Sequence, residues 1–312
     1  MKQKQKLTWS LVWKQRYLYL MSVPFVIWLI IFKYVPLWGW TMAFQDVRPK
    51  SFALPIWERE WVGLGQFEKL FSSTKFYEVL RNTLGISLIG IVFGFVSAIG
   101  FALLLNELRI IKFKKITQTI SYLPHFVSWV IIASVAKMFL NDSGVLNEIL
   151  ISIGLLDADN HIGFITTNGP TFWVVVCLIN VWKEAGWDAI IYLSAMAGID
   201  QGLYEAAKVD GAGRFRRMWH ITLPGIRPTI IVLTILSIGS VLGVGMERQM
   251  LLSNGIVKEY GMVLSWYAYM MGIGSNNFSY GTAIGVFQSA ISMVLIFGAN
   301  WLAGRFGEGK LV

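Results

Sequence analysis

Glu205-Ala-Ala-Lys-Val-Asp-Gly211, followed after nine residues by Ile221-Thr-Leu-Pro224, is a polar segment between two long apolar stretches. Its first part is rich in helix-forming residues, and Asp200 precedes it at a distance suited to a helix N-cap. Gly211 then permits a sharp turn with positive φ. The segment 200–225 is therefore predicted to begin with a short capped helix and a tight turn.

The second half of this segment predicts another helix. Gly213, like Gly211, is expected to permit positive φ in the turn. The run 214–221 mixes apolar and basic residues in a helical pattern, and Pro224 is expected to end it. Small side chains at Ala206 and Ala207 allow another backbone to approach closely. Together the two helices predict a compact knob that fits a groove of a soluble partner. The alternative is an amphipathic loop that lies on a membrane surface.

The stretches on both sides of the knob predict a polytopic membrane protein. Of the 312 residues, 55% are hydrophobic and 14% are charged, against about 25% charged in soluble domains. A membrane-spanning helix takes about 20 apolar residues. Six stretches qualify as one permease domain within 17–306: 17–44, 82–105, 118–140, 171–199, 226–252 and 283–306. The predicted fold class is all-α, with six transmembrane helices and the knob between the fourth and fifth.

The distribution of Lys and Arg predicts the orientation. With six spans, sixteen of these residues fall on the side of the knob, and they include the basic tail 1–16 and the tail 307–312. The opposite side has none in 141–170, and in 45–81 its six basic residues accompany five acidic ones. Because positive charge stays inside, both tails and the knob are expected in the cytoplasm and 45–81 outside. The net charge of +9 is thereby explained without nucleic acid.

The Glu-Ala-Ala, Gly and Ile-x-Leu-Pro spacing resembles the EAA loop of ATP-binding-cassette (ABC) importer permeases. Over almost its whole length the chain is similar to maltose-type sugar permeases, and more narrowly to the alginate and rhamnogalacturonan permeases that import products of polysaccharide breakdown. The stretches behind the narrower resemblance are Phe32-Lys-Tyr-Val-Pro-Leu37, Ala43-Phe-Gln-Asp46, Asn82-Thr-Leu84, Leu104-Leu-Asn-Glu107, Tyr122-Leu-Pro-His125, Trp182-Lys183 with Gly186-Trp187, and Ala197-Gly-Ile-Asp200. Met246-Glu-Arg-Gln249 departs from the Phe-Glu-Gln order of that subfamily.

The resemblance implies a complete importer in a bacterial plasma (inner) membrane. A second homologous permease subunit forms a heterodimer with this chain, two ABC ATPase subunits bind ATP and Mg, and an extracellular solute-binding protein delivers an oligosaccharide. The chain has no GxxxxGK[ST] phosphate loop, so we expect a transport subunit without its own ATPase site, cofactor or metal. The residues that the resemblance assigns to ATPase coupling and alternating access are Glu205, Ala206, Ala207, Asp210, Gly211, Ile221, Leu223 and Pro224.

Polar residues inside two spans predict a substrate path. Ionisable groups within a membrane span face a cavity or a partner. In the fourth and fifth spans these candidates are Asn180, Lys183, Glu184, Trp187, Glu247 and Arg248. Lys183 suits an acidic oligosaccharide that carries uronate groups. The alternatives are a structural Lys183–Glu184 network and a self-paired Glu247–Arg248 bridge.

Other functions remain open at this point. An ABC permease for another small solute would keep the same knob, whereas an unrelated secondary transporter would show inverted repeats, which are not evident. A membrane enzyme would need a convergent catalytic set, and the three His residues are scattered. His125, without Cys or carboxylate neighbours in sequence, is a poor metal ligand, and the single Cys177 excludes an intrachain disulfide.

Overall fold

The computed structural model describes residues 13–157, 159–167 and 169–305. Of the predicted segments, residues 1–12 of the basic tail, Phe306 and the tail 307–312 lie outside these ranges. Within them all regular structure is helical, apart from one isolated antiparallel bridge. The all-α fold class is therefore confirmed.

The helices follow the chain in this order. The α-helices are α1 Arg16–Leu29, α2 Gly65–Phe71, α3 Thr74–Glu107, α4 Ile111–Phe126, α5 Trp129–Leu140, α6 Val145–Ser152, α7 Thr171–Ala197, α8 Gln201–Val209, α9 Arg214–Arg217, α10 Leu223–Gly225, α11 Arg227–Gly239, α12 Met246–Leu252, α13 Lys258–Gly261, α14 Leu264–Tyr269 and α15 Phe278–Arg305. The π-helical turns are Ile30–Tyr34, Met218–Thr222 and Met270–Gly274. The 3₁₀ segments are Val35–Phe44, Pro49–Ala53 and Ile56–Glu58.

Several of these helices are long and apolar enough to cross a membrane. Four qualify by length and composition within the described ranges: Arg16–Phe44, Thr74–Glu107, Trp129–Ser152 and Phe278–Arg305. A fifth is added if Arg214–Gly225 and Arg227–Gly239, which meet at a bend of 57°, count as one span. Helix α7 has 27 residues, but Lys183, Glu184 and Asp188 interrupt its apolar composition. The structure thus supports a polytopic membrane protein, and the count of six stays a prediction.

The third predicted span, 118–140, is divided between α4 and α5. After Phe126 the backbone becomes extended at Val127 and Ser128, with ψ of 137° and 151°. The Ser128 hydroxyl then caps α5 by accepting a hydrogen bond from the Ile131 N–H at 3.4 Å. A two-residue break leaves the apolar run uninterrupted, so hydropathy alone predicts one continuous helix.

The fifth predicted span, 226–252, is also divided, into α11 and α12. Residues 240–245 between them include Gly243 and Gly245, which have low helix propensity. Side chains from two other helices replace the missing helical hydrogen bonds. The Ser87 hydroxyl of α3 donates to the Val241 carbonyl, and the Gln288 amide of α15 donates to the Leu242 carbonyl. The break is therefore a packed feature of the fold.

Helix α7 has extensive packing contacts with other helices. It packs most extensively against α3 and also against α4. At Gly186 a Cβ atom would collide with the Ser121 carbonyl of α4, so a glycine is needed for the two helices to cross this closely. This crossing places the C-terminal end of α4 against the polar face of α7.

Residues 45–81 form a small packed cap. Gln45 and Gln66 are buried, and the Gln66 amide donates to the Gln45 carbonyl at 3.4 Å. The Val47 N–H donates to the Ser279 hydroxyl at 2.7 Å, which ties the cap to the start of α15.

Candidate functional site

The polar face of α7 meets the two broken spans at one place. Asn180, Lys183, Glu184 and Trp187 follow one another at spacings of one to three residues, and helical geometry brings them to the same side of α7. Opposite them lie the end of α4, the start of α5 and the start of α12. The candidate site is therefore assembled from four elements that are distant in sequence.

Lys183 is buried and occupied by neighbouring groups. Its side chain is 6% exposed, and its Nζ donates to the His125 carbonyl at 2.6 Å. The same Nζ forms an ion pair with the Glu184 Oε1 at 3.1 Å. The ammonium group thus satisfies a carbonyl in the last turn of α4, where the helix macrodipole favours a positive charge.

His125 has partners that are invisible in the sequence around it. Its Nδ1 lies 2.6 Å from the Glu184 Oε2. Its ring stacks on the Trp187 indole, with centroids 4.3 Å apart and planes at 3°. Glu184 therefore bridges His125 and Lys183, and this polar cluster (His125, Lys183, Glu184 and Trp187) fixes the end of α4 on α7.

Arg248, in α12, reaches across to α7. It donates a short hydrogen bond from Nη1 to the Asn180 Oδ1, and its guanidinium lies 5.7 Å from the centre of the Trp129 ring. The alternative of a Glu247–Arg248 bridge is wrong: in the described part of the chain, no ion pair joins these two residues.

Two adjoining cavities open beside these residues, with volumes of about 390 and 360 Å³. Asn180 and Arg248 line both, whereas Glu184 and Glu247 line the smaller one. Lys183 and Trp187 belong to neither wall, because the first is buried and the second is stacked on His125. The structure thus brings four of the six predicted path residues to cavity walls and leaves Lys183 and Trp187 outside both walls.

Further residues line the cavities that the sequence patterns did not assign to the path. They are Ser87, Asp188, Tyr192, Ser237 and Ser240 in the larger cavity and Trp129 in the smaller one. Asp188 and Tyr192 continue the polar face of α7 and could have been found from that periodicity. Ser87 comes from α3, Ser237 from the last turn of α11 and Ser240 from the break in the fifth span, and single-sequence periodicity gives no signal for them.

The first half of the knob 200–225 has a capped helix and a tight turn, as its sequence predicts. The Asp200 carboxylate caps α8 by accepting a hydrogen bond from the Gly202 N–H at 2.9 Å. Gly211 has φ of +74°, the left-handed conformation that favours glycine. Gly213 has φ of −66°, so the prediction of positive φ is confirmed for Gly211 and wrong for Gly213.

The second half of the knob differs from the prediction at its end. Helix α9 continues through a π-helical turn and α10, so Pro224 lies inside a helical turn instead of ending it. Proline is tolerated there because it occupies the first turn of α10. The chain bends between α10 and α11, and a 2.9 Å hydrogen bond between the Tyr204 and Thr222 hydroxyls joins the two halves.

The surface of the knob exposes large apolar side chains. Val209 and Phe215 are 88% and 82% exposed, and Leu203 and Trp219 are also exposed. Exposed apolar groups of this size are compatible with contact to a protein partner or to a membrane surface. Of the predicted coupling residues, the exposed ones are Glu205, Ala206, Asp210, Gly211 and Pro224, and the half-buried ones are Ala207, Ile221 and Leu223.

Known proteins match most of this chain. Residues 90–308 match the family described as binding-protein-dependent transport system inner membrane component. Two relatives from Bacillus subtilis (strain 168) are similar in sequence. Protein LplB is 43% identical over 96% of this chain and 92% of its own length. The polygalacturonan/rhamnogalacturonan transport system permease protein YteP is 45% identical over 98% of this chain and 94% of its own length.

Two solved structures of bacterial ABC transporters contain chains that are similar to this one. A chain of a bacterial ABC transporter involved in the import of the acidic polysaccharide alginate has a TM-score of 0.84 and 38% identity, covering 95% of this chain and 98% of that one. A chain of a bacterial alginate ABC transporter, in complex with a periplasmic protein bound to an alginate pentasaccharide, has a TM-score of 0.85 and 36% identity, covering 97% and 99%.

Proposed function

We propose that this chain passes an acidic oligosaccharide through an ATP-driven importer. The chain belongs to the family of binding-protein-dependent transport system inner membrane components. Permeases of this family lack an ATPase site, so the chain is a transport subunit and not an enzyme. The observation that carries the proposal is its 45% identity with the polygalacturonan/rhamnogalacturonan permease over 98% of this chain. The polar cavity at the two broken spans is the proposed path.

The proposed assembly follows the resemblance. This chain pairs with a second homologous permease, two ATPase subunits bind ATP and Mg below it, and a solute-binding protein delivers the sugar from outside. The exposed apolar side chains of the knob, such as Val209 and Phe215, support a docking role for 200–225 toward the ATPase. Closure of the ATPase dimer would move the knob and shift the permease between inward-open and outward-open states.

The proposed topology keeps six spans with both termini in the cytoplasm. The third and fifth spans are the broken pairs α4–α5 and α11–α12, and α7 is the fourth span despite its charged residues. A cavity supports this assignment, since charges within a span are tolerated where they face one another or water. Labelling of single cysteines in intact cells at position 57 (outside) and position 215 (inside) tests it.

The function is tested by transport in proteoliposomes that contain both permeases, the ATPase and the binding protein. We expect ATP-dependent uptake of labelled oligogalacturonate, and stimulation of ATP hydrolysis by the loaded binding protein. A complex without the ATPase is the control and should take up nothing. Uptake of an amino acid or phosphate, with no uptake of any oligosaccharide, would contradict the proposal and favour a permease for another small solute.

A further inference from the structure

Two cations, the buried Lys183 and the half-buried Arg248, lie near the candidate path, and the structure gives them different surroundings. Lys183 donates to the His125 carbonyl and pairs with Glu184, so its hydrogen-bonding capacity and charge are used within the protein. It also lies outside both cavity walls. An ammonium in this position supports the fold and is not available to a ligand.

Arg248 is less well compensated: it has the Trp129 ring 5.7 Å away but no ion-pair partner among the described residues. Its one hydrogen-bond partner is the neutral Asn180 amide, and its Nε is buried without a partner. Because a desolvated cation is costly unless it is paired, an anion that enters the cavity gains a strong interaction at this point. Arg248 lines both cavities, so such an anion can reach it.

The carboxylates around Arg248 do not remove this preference. Glu184 is held by Lys183 and His125, and Glu247, on the wall of the smaller cavity, forms no ion pair with Arg248. Asp188 lies eight residues beyond Asn180 on α7, which is about 12 Å along the helix axis. The larger cavity therefore has a cation near Asn180 and a carboxylate farther along, where sugar hydroxyl groups can donate to it.

We propose that Arg248 is the specificity-determining residue that binds the carboxylate of a hexuronate unit as the oligosaccharide passes the cavity. This inference rests on the proposed function and adds a residue to it. The planar guanidinium suits a carboxylate, which can accept two parallel N–H bonds from it. Lys183, the cation that the sequence favours for this role, acts as a positioning residue for the end of α4.

The test uses the reconstituted importer with Arg248→Gln, Arg248→Lys and, as a control that removes a remote positive charge, Lys112→Gln. Uptake of an oligogalacturonate is compared with uptake of its carboxyl-reduced, neutral counterpart. The binding protein selects between the two substrates equally for every variant. Its contribution therefore cancels when the acidic-to-neutral uptake ratio of each variant is divided by that of wild type. ATP hydrolysis stimulated by the loaded binding protein measures separately whether the importer has assembled.

We expect Arg248→Gln to lower uptake of the acidic substrate by about 10- to 100-fold relative to the neutral one, with ATP hydrolysis retained. Arg248→Lys should recover part of the loss, and Lys112→Gln should behave as wild type. Equal losses for both substrates, or an unchanged ratio in Arg248→Gln, would overturn the role of Arg248. Failure of wild type to transport either oligosaccharide would instead overturn the proposed function.

Discussion

The knob 200–225 and the polar cluster around Lys183 are held together over different distances in sequence. The Tyr204–Thr222 bond that closes the knob joins residues 18 positions apart. The Lys183–His125 and Arg248–Asn180 bonds join residues 58 and 68 positions apart. The knob is thus a local unit with an exposed apolar surface, whereas the cluster is a tertiary unit whose groups mostly satisfy one another.

This difference predicts where substitutions act. A change in the cluster removes partners inside the membrane domain and should lower stability of the whole chain. A change in the knob should leave the membrane domain folded and weaken the contact with the ATPase. The following substitutions test that separation in order of expected effect.

The largest effect is expected for Lys183→Met. This change leaves Glu184 and the His125 carbonyl without their shared donor, and breaking a buried pair from one side costs about 3–5 kcal/mol. We expect a large fall in folded protein and in the thermal unfolding midpoint in detergent. Lys33→Met, the same substitution at an exposed position of the first span, is the matched control. Equal behaviour of the two variants would contradict a buried network at Lys183.

A smaller effect is expected for Gly211→Ala in the knob. Alanine in the left-handed region costs about 1–2 kcal/mol, so association with the ATPase should weaken by about 5- to 30-fold. Gly213→Ala is the matched control, because Gly213 has φ of −66° and open space around its Cα. Binding of the purified ATPase to each variant measures the difference. If the two glycines respond alike, the turn does not depend on positive φ at Gly211.

The smallest effect is expected for Ser87→Ala at the break in the fifth span. The substitution removes the donor to the Val241 carbonyl, a loss of about 1 kcal/mol. Ser134→Ala removes a hydroxyl that bonds within its own helix, to the Val130 carbonyl, and serves as the control. A thermal unfolding midpoint that falls more for Ser87→Ala supports the packed break, and a midpoint that falls equally for both argues against it.

The same contrast explains what the sequence could predict. Local features can be predicted from the sequence because they depend on residues close in the chain. They include the Asp200 cap, the positive φ of Gly211 and the apolar runs. The ends of α4 and α11 depend on donors such as Lys183, Ser87 and Gln288 from other helices. Those pairings leave no periodic signal, so the two breaks and the partners of His125 were missed.

Arg248 shows most clearly what the sequence alone cannot predict. Its position in an apolar span marked it as functional, but its neighbour Glu247 suggested a local bridge. Only the packing of α12 against α7 brings Asn180 to it. A charged residue in a span thus predicts that a site exists. The tertiary contacts decide which charged residue of the site lacks an ion-pair partner and can bind a ligand.

The proposed importer depends most on contact between the knob and an ATPase. The direct measurement is a pulldown of the tagged chain from native membranes in mild detergent, with wild type, Glu205→Lys and the outer-loop control Glu148→Lys. We expect the ATPase and a second permease with wild type and the control, and at least about tenfold less ATPase with Glu205→Lys because of charge reversal at the contact. Recovery of no ATPase with wild type would contradict the importer assembly, and full recovery with Glu205→Lys would contradict the role of the knob.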